Sequence, residues 1–334
     1  MSRAQLTSTV EQSSGSVVPP FTAGKNVIIN GDMRVSQRGS SIAVGGYTLD
    51  RWVITGSGTA TQTAFTPGTA PVAGYEAPYY LNWTITANNQ NSEIIQRVED
   101  VRTFAGQTVT LSFWARSTVG AQLLNVNIYQ NFGSGGSSLV GTSVNGTVTP
   151  NGTWTRYTFT GAIPSVAGKT IGTGSFLWVR VAQLTATTTN TSLDIWGVQL
   201  EAGSVATPFT TASNTLQGEL ALCQRYYYRW TNVGLIYSCM AMGAGYSSSA
   251  VQIIYQFPVT MRAAVSYTTD SLNLVCQDIA TGTTYTPTAV TLNQSGNSSA
   301  QILFTGMSGI TSYRQYAVYA GGNSNAYFGV SAEL

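Results

Sequence analysis

The stretch TVTLSFWARS, Thr108–Ser117, decides the fold. Val109, Leu111 and Phe113 recur at every second position, so Trp114 and Arg116 point the other way. Successive side chains of a strand alternate between faces, and a period of two with one apolar set marks a strand lying on a core. Working outward, comparable segments are Tyr47–Thr55, Tyr79–Thr86, Leu124–Gln130, Thr153–Gly161, Phe176–Gln183 and Ser192–Glu201. Asn30-Gly31, Asn145-Gly146 and Asn151-Gly152 read as tight-turn dipeptides. Short strands at this spacing, with no helical period between them, predict an all-β jelly-roll β-sandwich over residues 26–210.

A length of 334 residues leaves room for a second domain. Asn214–Gln224, NTLQGELALCQ, is the one plausible helix, in a short linker at 211–224. Asn214 is placed to cap it, and Leu216, Leu220 and Cys223 or Gln224 share a face that could meet around a threefold axis. Beyond it RYYYRW, AVQIIYQF, AVSYTTD, LNLVCQDI, SAQILFTG, QYAVYAG and AYFGVSAEL predict a smaller β domain over residues 225–334. Residues 1–25 are polar and contain Pro19-Pro20; they bury too little apolar surface to fold alone and read as an attachment arm.

Charged residues are only 8% of the chain, against about 25% in ordinary soluble domains. Gly, Ser, Thr and Asn carry the polarity instead, which suits a protein packed against identical neighbours. Fifteen basic and 13 acidic residues, with no basic cluster, argue against nucleic acid as a partner. Apolar residues never run to the roughly 18 positions of a membrane helix, so no membrane insertion is expected, and the N-terminus has no apolar core of the secretory kind. Cys223, Cys239 and Cys276 read as free, buried thiols. The Asn-x-Ser/Thr triplets at Asn82, Asn145, Asn151 and Asn190 read as turn residues.

The chain has no histidine, which removes the commonest general base and zinc ligand and the Ser-His and Cys-His pairs. No phosphate-binding loop is present; NFGSGGSS, Asn131–Ser138, is a turn between strands. Glycosidase carboxyls sit about 5 to 9.5 Å apart. Glu93 and Glu99, six residues apart on one extended face, would stand about 20 Å apart, and the adjacent Glu99 and Asp100 face opposite ways. Carboxylate pairs from different strands leave a polysaccharide-degrading glycoside hydrolase as the alternative to a non-enzymatic protein.

Parity also predicts a contact surface. With Leu124, Val126 and Ile128 inward, Asn125, Asn127 and Tyr129 face out; with Leu177, Val179 and Val181 inward, Trp178 and Arg180 face out. Together with Trp114 and Arg116 they are expected on one sheet face. Rings stack on sugars while amides and guanidinium groups hydrogen-bond hydroxyls, and the same residue types favour a subunit interface. The two arginines would favour an acidic glycan or a polar interface rim.

Several of these stretches resemble known proteins. NVIINGDMRVSQRG, GYTLDRW, VEDVRTFAGQTVTLSFWARS, DIWGVQLEAGSVATPF and ELALCQRYYYRW are similar to segments of tailed-bacteriophage virion proteins, as are FPVTMRAAVSY and the final SAEL. In that family a carbohydrate-binding-module-like jelly roll is joined to a C-terminal β domain. The resemblance spans residues 26–334. It implies a virion component assembled in the host cytoplasm: a tail fibre, head fibre or decoration protein, often a homotrimer. The implied partners are copies of itself, capsid or tail proteins and host surface polysaccharide, with no cofactor. Similar sugar-binding modules often hold a structural calcium near the positions of Asp32 and Asp194. Neither has a dense oxygen cluster around it in the sequence, and the preferred expectation is a turn cap for Asp32 and an exposed Asp194.

Overall fold

The computed structural model describes residues 24–87, 91–119, 122–184, 190–231, 237–270, 273–322 and 326–334. Apart from Gly24 and Lys25, the arm lies outside the described residues. Two six-stranded antiparallel sheets form a jelly-roll β-sandwich. The first runs β1 (Ser41–Ala43), β4 (Thr59–Ala64), β5 (Tyr79–Ile85), β12 (Thr191–Ala202), β7 (Thr108–Arg116), β10 (Thr155–Ala162). The second runs β2 (Gly46–Tyr47), β3 (Val53–Thr55), β6 (Ser92–Glu99), β11 (Phe176–Leu184), β8 (Leu124–Asn131), β9 (Val140–Val148). Val109, Leu111 and Phe113, the Leu124 set and the Leu177 set all enter the core between them, beside Trp52 and Trp83. Each such fully buried side chain contributes roughly 1.5–3 kcal/mol.

Local departures from the sequence reading have local causes. Tyr47–Thr55 is not one strand: the chain turns between β2 and β3, with Arg51 at φ 70°. Asn145-Gly146 is no turn but lies inside β9, paired with Asn127 and Val126. A Cβ on Gly146 would stand 2.6 Å from the Phe159 ring, so the glycine makes room for an aromatic. Asn82 likewise lies in β5.

Helix α1 (Leu216–Gln224) is capped by Thr215, whose side chain accepts from Gly218 N, not by Asn214, which sits at φ 62°. Its buried residues are Glu219 and Cys223, whereas Leu216 is exposed. The Glu219 carboxylate accepts from Asn30 N at 2.8 Å and from Ser213 N at 2.7 Å, which ties the helix to the first turn of the sandwich. A buried carboxylate thus anchors the helix in place of the expected leucine face.

The C-terminal part pairs a seven-stranded sheet with a three-stranded one. The larger runs β18 (Thr284–Tyr285), β17 (Leu274–Asp278), β21 (Gln315–Ala320), β14 (Cys239–Ser247), β15 (Ala250–Gln256), β20 (Ser299–Thr305), β19 (Ala289–Ser295). The smaller runs β13 (Tyr227–Thr231), β22 (Tyr327–Ser331), β16 (Ser266–Asp270). Ile253, Phe304, Tyr316 and Phe328 belong to its own core. The three cysteines are free; Cys223 and Cys276 are buried, but Cys239 is exposed on the large sheet.

Arginines and carboxylates of the sandwich meet Arg225, Tyr226, Tyr227 and Glu333 where the two parts join. Arg51, 1% exposed, pairs with Glu333, donates to the Arg97 carbonyl at 2.6 Å and lies 3.5 Å from the Tyr226 ring centre. Arg38 reaches Glu333 at 3.2 Å and stacks on Tyr227 at 3.6 Å. Gln37 bridges Asp50 and the Tyr227 carbonyl, and Glu99 takes Arg225 at 3.1 Å and the Tyr226 hydroxyl at 2.8 Å. Burial raises the Asp50 carboxyl above its usual range. Burial, assisted by Glu99, pushes the Tyr226 hydroxyl up to about 12.

Candidate functional site

On the outward face of the second sheet, β8 and β11 bring Tyr129 opposite Trp178 and Asn127 opposite Arg180. The two ring centres are 6.0 Å apart with planes inclined at 54°. The Arg180 guanidinium lies 5.0 Å from the Trp178 ring centre and 5.5 Å from that of Tyr129. It donates to Asn127 Oδ1 at 3.2 Å and Gln183 Oε1 at 3.1 Å, and pairs with Glu93 at 2.9 Å. Arg180 is 9% exposed and its charge is met by Glu93. It braces the two rings and is not a free cation.

Edge strand β9 extends this face. Gly141 lies opposite Tyr129, Asn145 opposite Asn127 and Thr147 opposite Asn125. A side chain at Gly141 would rest against the Tyr129 ring, so the glycine leaves that ring accessible. The face therefore offers a tilted ring pair bordered by neutral amide and hydroxyl groups. Its other half, on β2, β3 and β6, is occupied by the C-terminal part: Tyr47 and Arg97 both donate to the Leu334 carbonyl.

Trp114 and Arg116 do not join this surface. They lie on β7 in the first sheet, on the opposite side of the sandwich, so the expected single face is two faces. Nor is Trp114 exposed. It packs with Phe65, Trp196 and Phe209 in a second apolar cluster, 5.2 Å from the Trp196 ring and 4.5 Å from the Arg156 guanidinium. Leaving the main core is not the same as reaching solvent, because segments around Phe65 and Phe209 cover this sheet. Arg116 pairs with Asp194 at 2.7 Å and faces Trp154 at 4.8 Å.

Asp194, expected to be exposed, is 2% exposed, held by Arg116 and by Asn82 at 2.6 Å. Asp32 is fully buried against Arg34 at 2.5 Å, and burial raises its carboxyl to about 6. Each is closed by an arginine. Among the described residues no three His, Cys, Asp or Glu side chains cluster as metal ligands.

Two residues of the ring-bearing face escaped parity. A bulge between Arg180 and Ala182 shifts the register, turning Gln183 outward beside Glu93 where strict alternation would bury it. Glu93 sits in SEIIQRVE, where the adjacent Ile94 and Ile95 break the alternation. Glu93 and Arg180 are brought together only by the pairing of β6 with β11, which no local pattern in the sequence announces.

No protein-family model and no curated protein matches the chain. Solved structures do. The enzymatically active domain of tailspike protein 4 from bacteriophage CBA120 matches at TM-score 0.35 and 13% identity, over 54% of this chain and 22% of that one. The CBM22-1 xylan-binding domain of Paenibacillus barcinonensis Xyn10C matches at TM-score 0.33 and 13% identity, over 55% and 98%. A cyclase from Fischerella sp. TAU matches at TM-score 0.38 and 10% identity, over 53% and 96%. Similarity at this level leaves the jelly-roll assignment resting on the two sheets themselves.

Proposed function

We propose that this chain is a non-enzymatic component of a bacteriophage particle, a fibre or head-decoration protein. In this reading it is attached through residues 1–25, works as a homotrimer, and touches host surface glycan through the outward face of β11, β8 and β9. The observation that carries the glycan reading is the Tyr129–Trp178 pair, braced by Arg180 and bordered by Asn125, Asn127 and Asn145. Tilted rings fit the apolar faces of pyranoses, and amides supply both donors and acceptors for hydroxyls. Because Arg180 is neutralised by Glu93, the fitting ligand class is a neutral glycan, in place of the acidic one the sequence favoured. The virion reading is supported by the resemblance of the motifs that meet at the junction.

Glycan-array binding of the full chain tests the site. Trp178→Ala and Tyr129→Ala are expected to abolish binding to neutral glycans without lowering the melting temperature. Retained binding by both variants would sink the assignment. A chain beginning at Asn26 is expected to fold and bind yet be missing from assembled particles. Glu93 and Glu99 are each tied to an arginine, and incubation with host polysaccharide is expected to release no reducing ends.

A further inference from the structure

The seven-stranded sheet turns one face to its core, and the other carries a different kind of surface. Register places Met242, Gln252, Ile254, Gln277, Gln301 and Tyr319 on that outer face. Ile254 is 69% exposed and Met242 53%. Gln301 donates to Gln252 and accepts from Asn293 at 2.8 Å, an amide ladder running across three strands. Within the seven strands only Asp278 is charged; it is buried and paired with Arg314 at 2.8 Å. Exposed sheets ordinarily carry charges that repel stray association. Here none is present.

We propose that this face is the contact between copies of this chain. A partner chosen by charge would find nothing to pair with. Amides, which donate and accept alike, and apolar side chains are complementary to any surface of the same kind, so one half of the face can meet the other half of it on the next copy around a threefold axis, as a closed ring requires. The extent is sufficient. Six inter-strand spacings of about 4.8 Å and strands of about six residues give a footprint near 29 by 20 Å, about 580 Å² per copy. Around that axis one copy's face and the matching areas of its two neighbours together lose about 1,200 Å² to contact, the lower bound of a standard stable interface. The inference deepens the homotrimer reading and rests on it only in that copies associate; it replaces Leu216–Gln224 as the place where they meet.

The test is light scattering on the full chain across a micromolar series, without glycan. The wild type is expected to be oligomeric. A Met242→Lys, Ile254→Lys double variant is expected to be monomeric with unchanged circular dichroism, since both positions are solvent-exposed and a lysine there stays hydrated. Trp178→Ala is expected to remain oligomeric. Cys239, paired with Tyr319 in register, is the one exposed thiol of the three. In the wild-type oligomer it should react with maleimide at least severalfold more slowly than after dilution to monomer, which tests the face even if the double variant misfolds. A monomeric wild type overturns both this inference and the homotrimer reading. An oligomer that survives the double substitution, with Cys239 freely reactive, overturns the face and leaves the homotrimer reading standing.

Discussion

Replacing Glu333 by Gln keeps the side-chain shape and removes the charge that faces Arg51. Arg51 is 1% exposed, so its guanidinium cannot regain water without opening the junction. Removing one partner of a buried ion pair costs about 3–5 kcal/mol. The Tyr226 ring and the Arg97 carbonyl remain in place, which argues for the lower end, about 3 kcal/mol. Glu99→Gln is the matched control. Its partner Arg225 is 39% exposed, and a pair so open to solvent contributes only about 0–1 kcal/mol. Urea unfolding followed by tryptophan fluorescence should show a far larger midpoint shift for Glu333→Gln, and calorimetry should show the single wild-type transition splitting as the two parts lose their coupling. Equal shifts for the two variants would refute the claim that the junction is held by a desolvated ion pair.

Two further outcomes follow from buried groups. Burial raises Asp32 to about 6 from 3.8, so the folded chain binds its proton before the unfolded chain does. The stabilisation from this group is complete below the unfolded value and is lost as pH rises through about 6, a difference of about 3 kcal/mol. Asp32→Asn should remove that slope between pH 4 and 6 from the stability profile, and an unchanged profile would contradict it. Gly146→Ala forces a Cβ against the Phe159 ring and should cost about 1–3 kcal/mol by overpacking. Gly152→Ala, in open space, should be near neutral in the same melting assay.

Strands with one apolar face were legible in the sequence, because alternation records burial directly. Those that escaped lack it for identifiable reasons. β4, TATQTA, places only Ala60 in the core, and β9, VGTSVNGTV, buries only Val144. Neither offers a period to read. The candidate site was half legible: Tyr129, Trp178, Asn125 and Asn127 face outward together, as parity requires. What parity cannot supply is sheet membership. Trp114 shares the same alternation and sits on the other sheet beneath a covering segment. Gln183 was hidden by the bulge. The sequence reading placed the cap at Asn214, although the neighbouring Thr215 is as good a capping residue type; the positive φ of Asn214 gives the cap to Thr215.

The junction also sets an order of events during synthesis. Arg51 is translated early, within the sandwich, yet the carboxylate it pairs with is Glu333, 282 positions later. Until that residue leaves the ribosome, the nascent sandwich presents the Arg51 guanidinium without its carboxylate, whereas Arg38 already has Asp50 at 3.7 Å. Prematurely terminated chains would therefore carry a cationic scar on an otherwise nearly uncharged surface. A chain that stops short of Glu333 is thus marked by its surface alone, before any difference in its sandwich core.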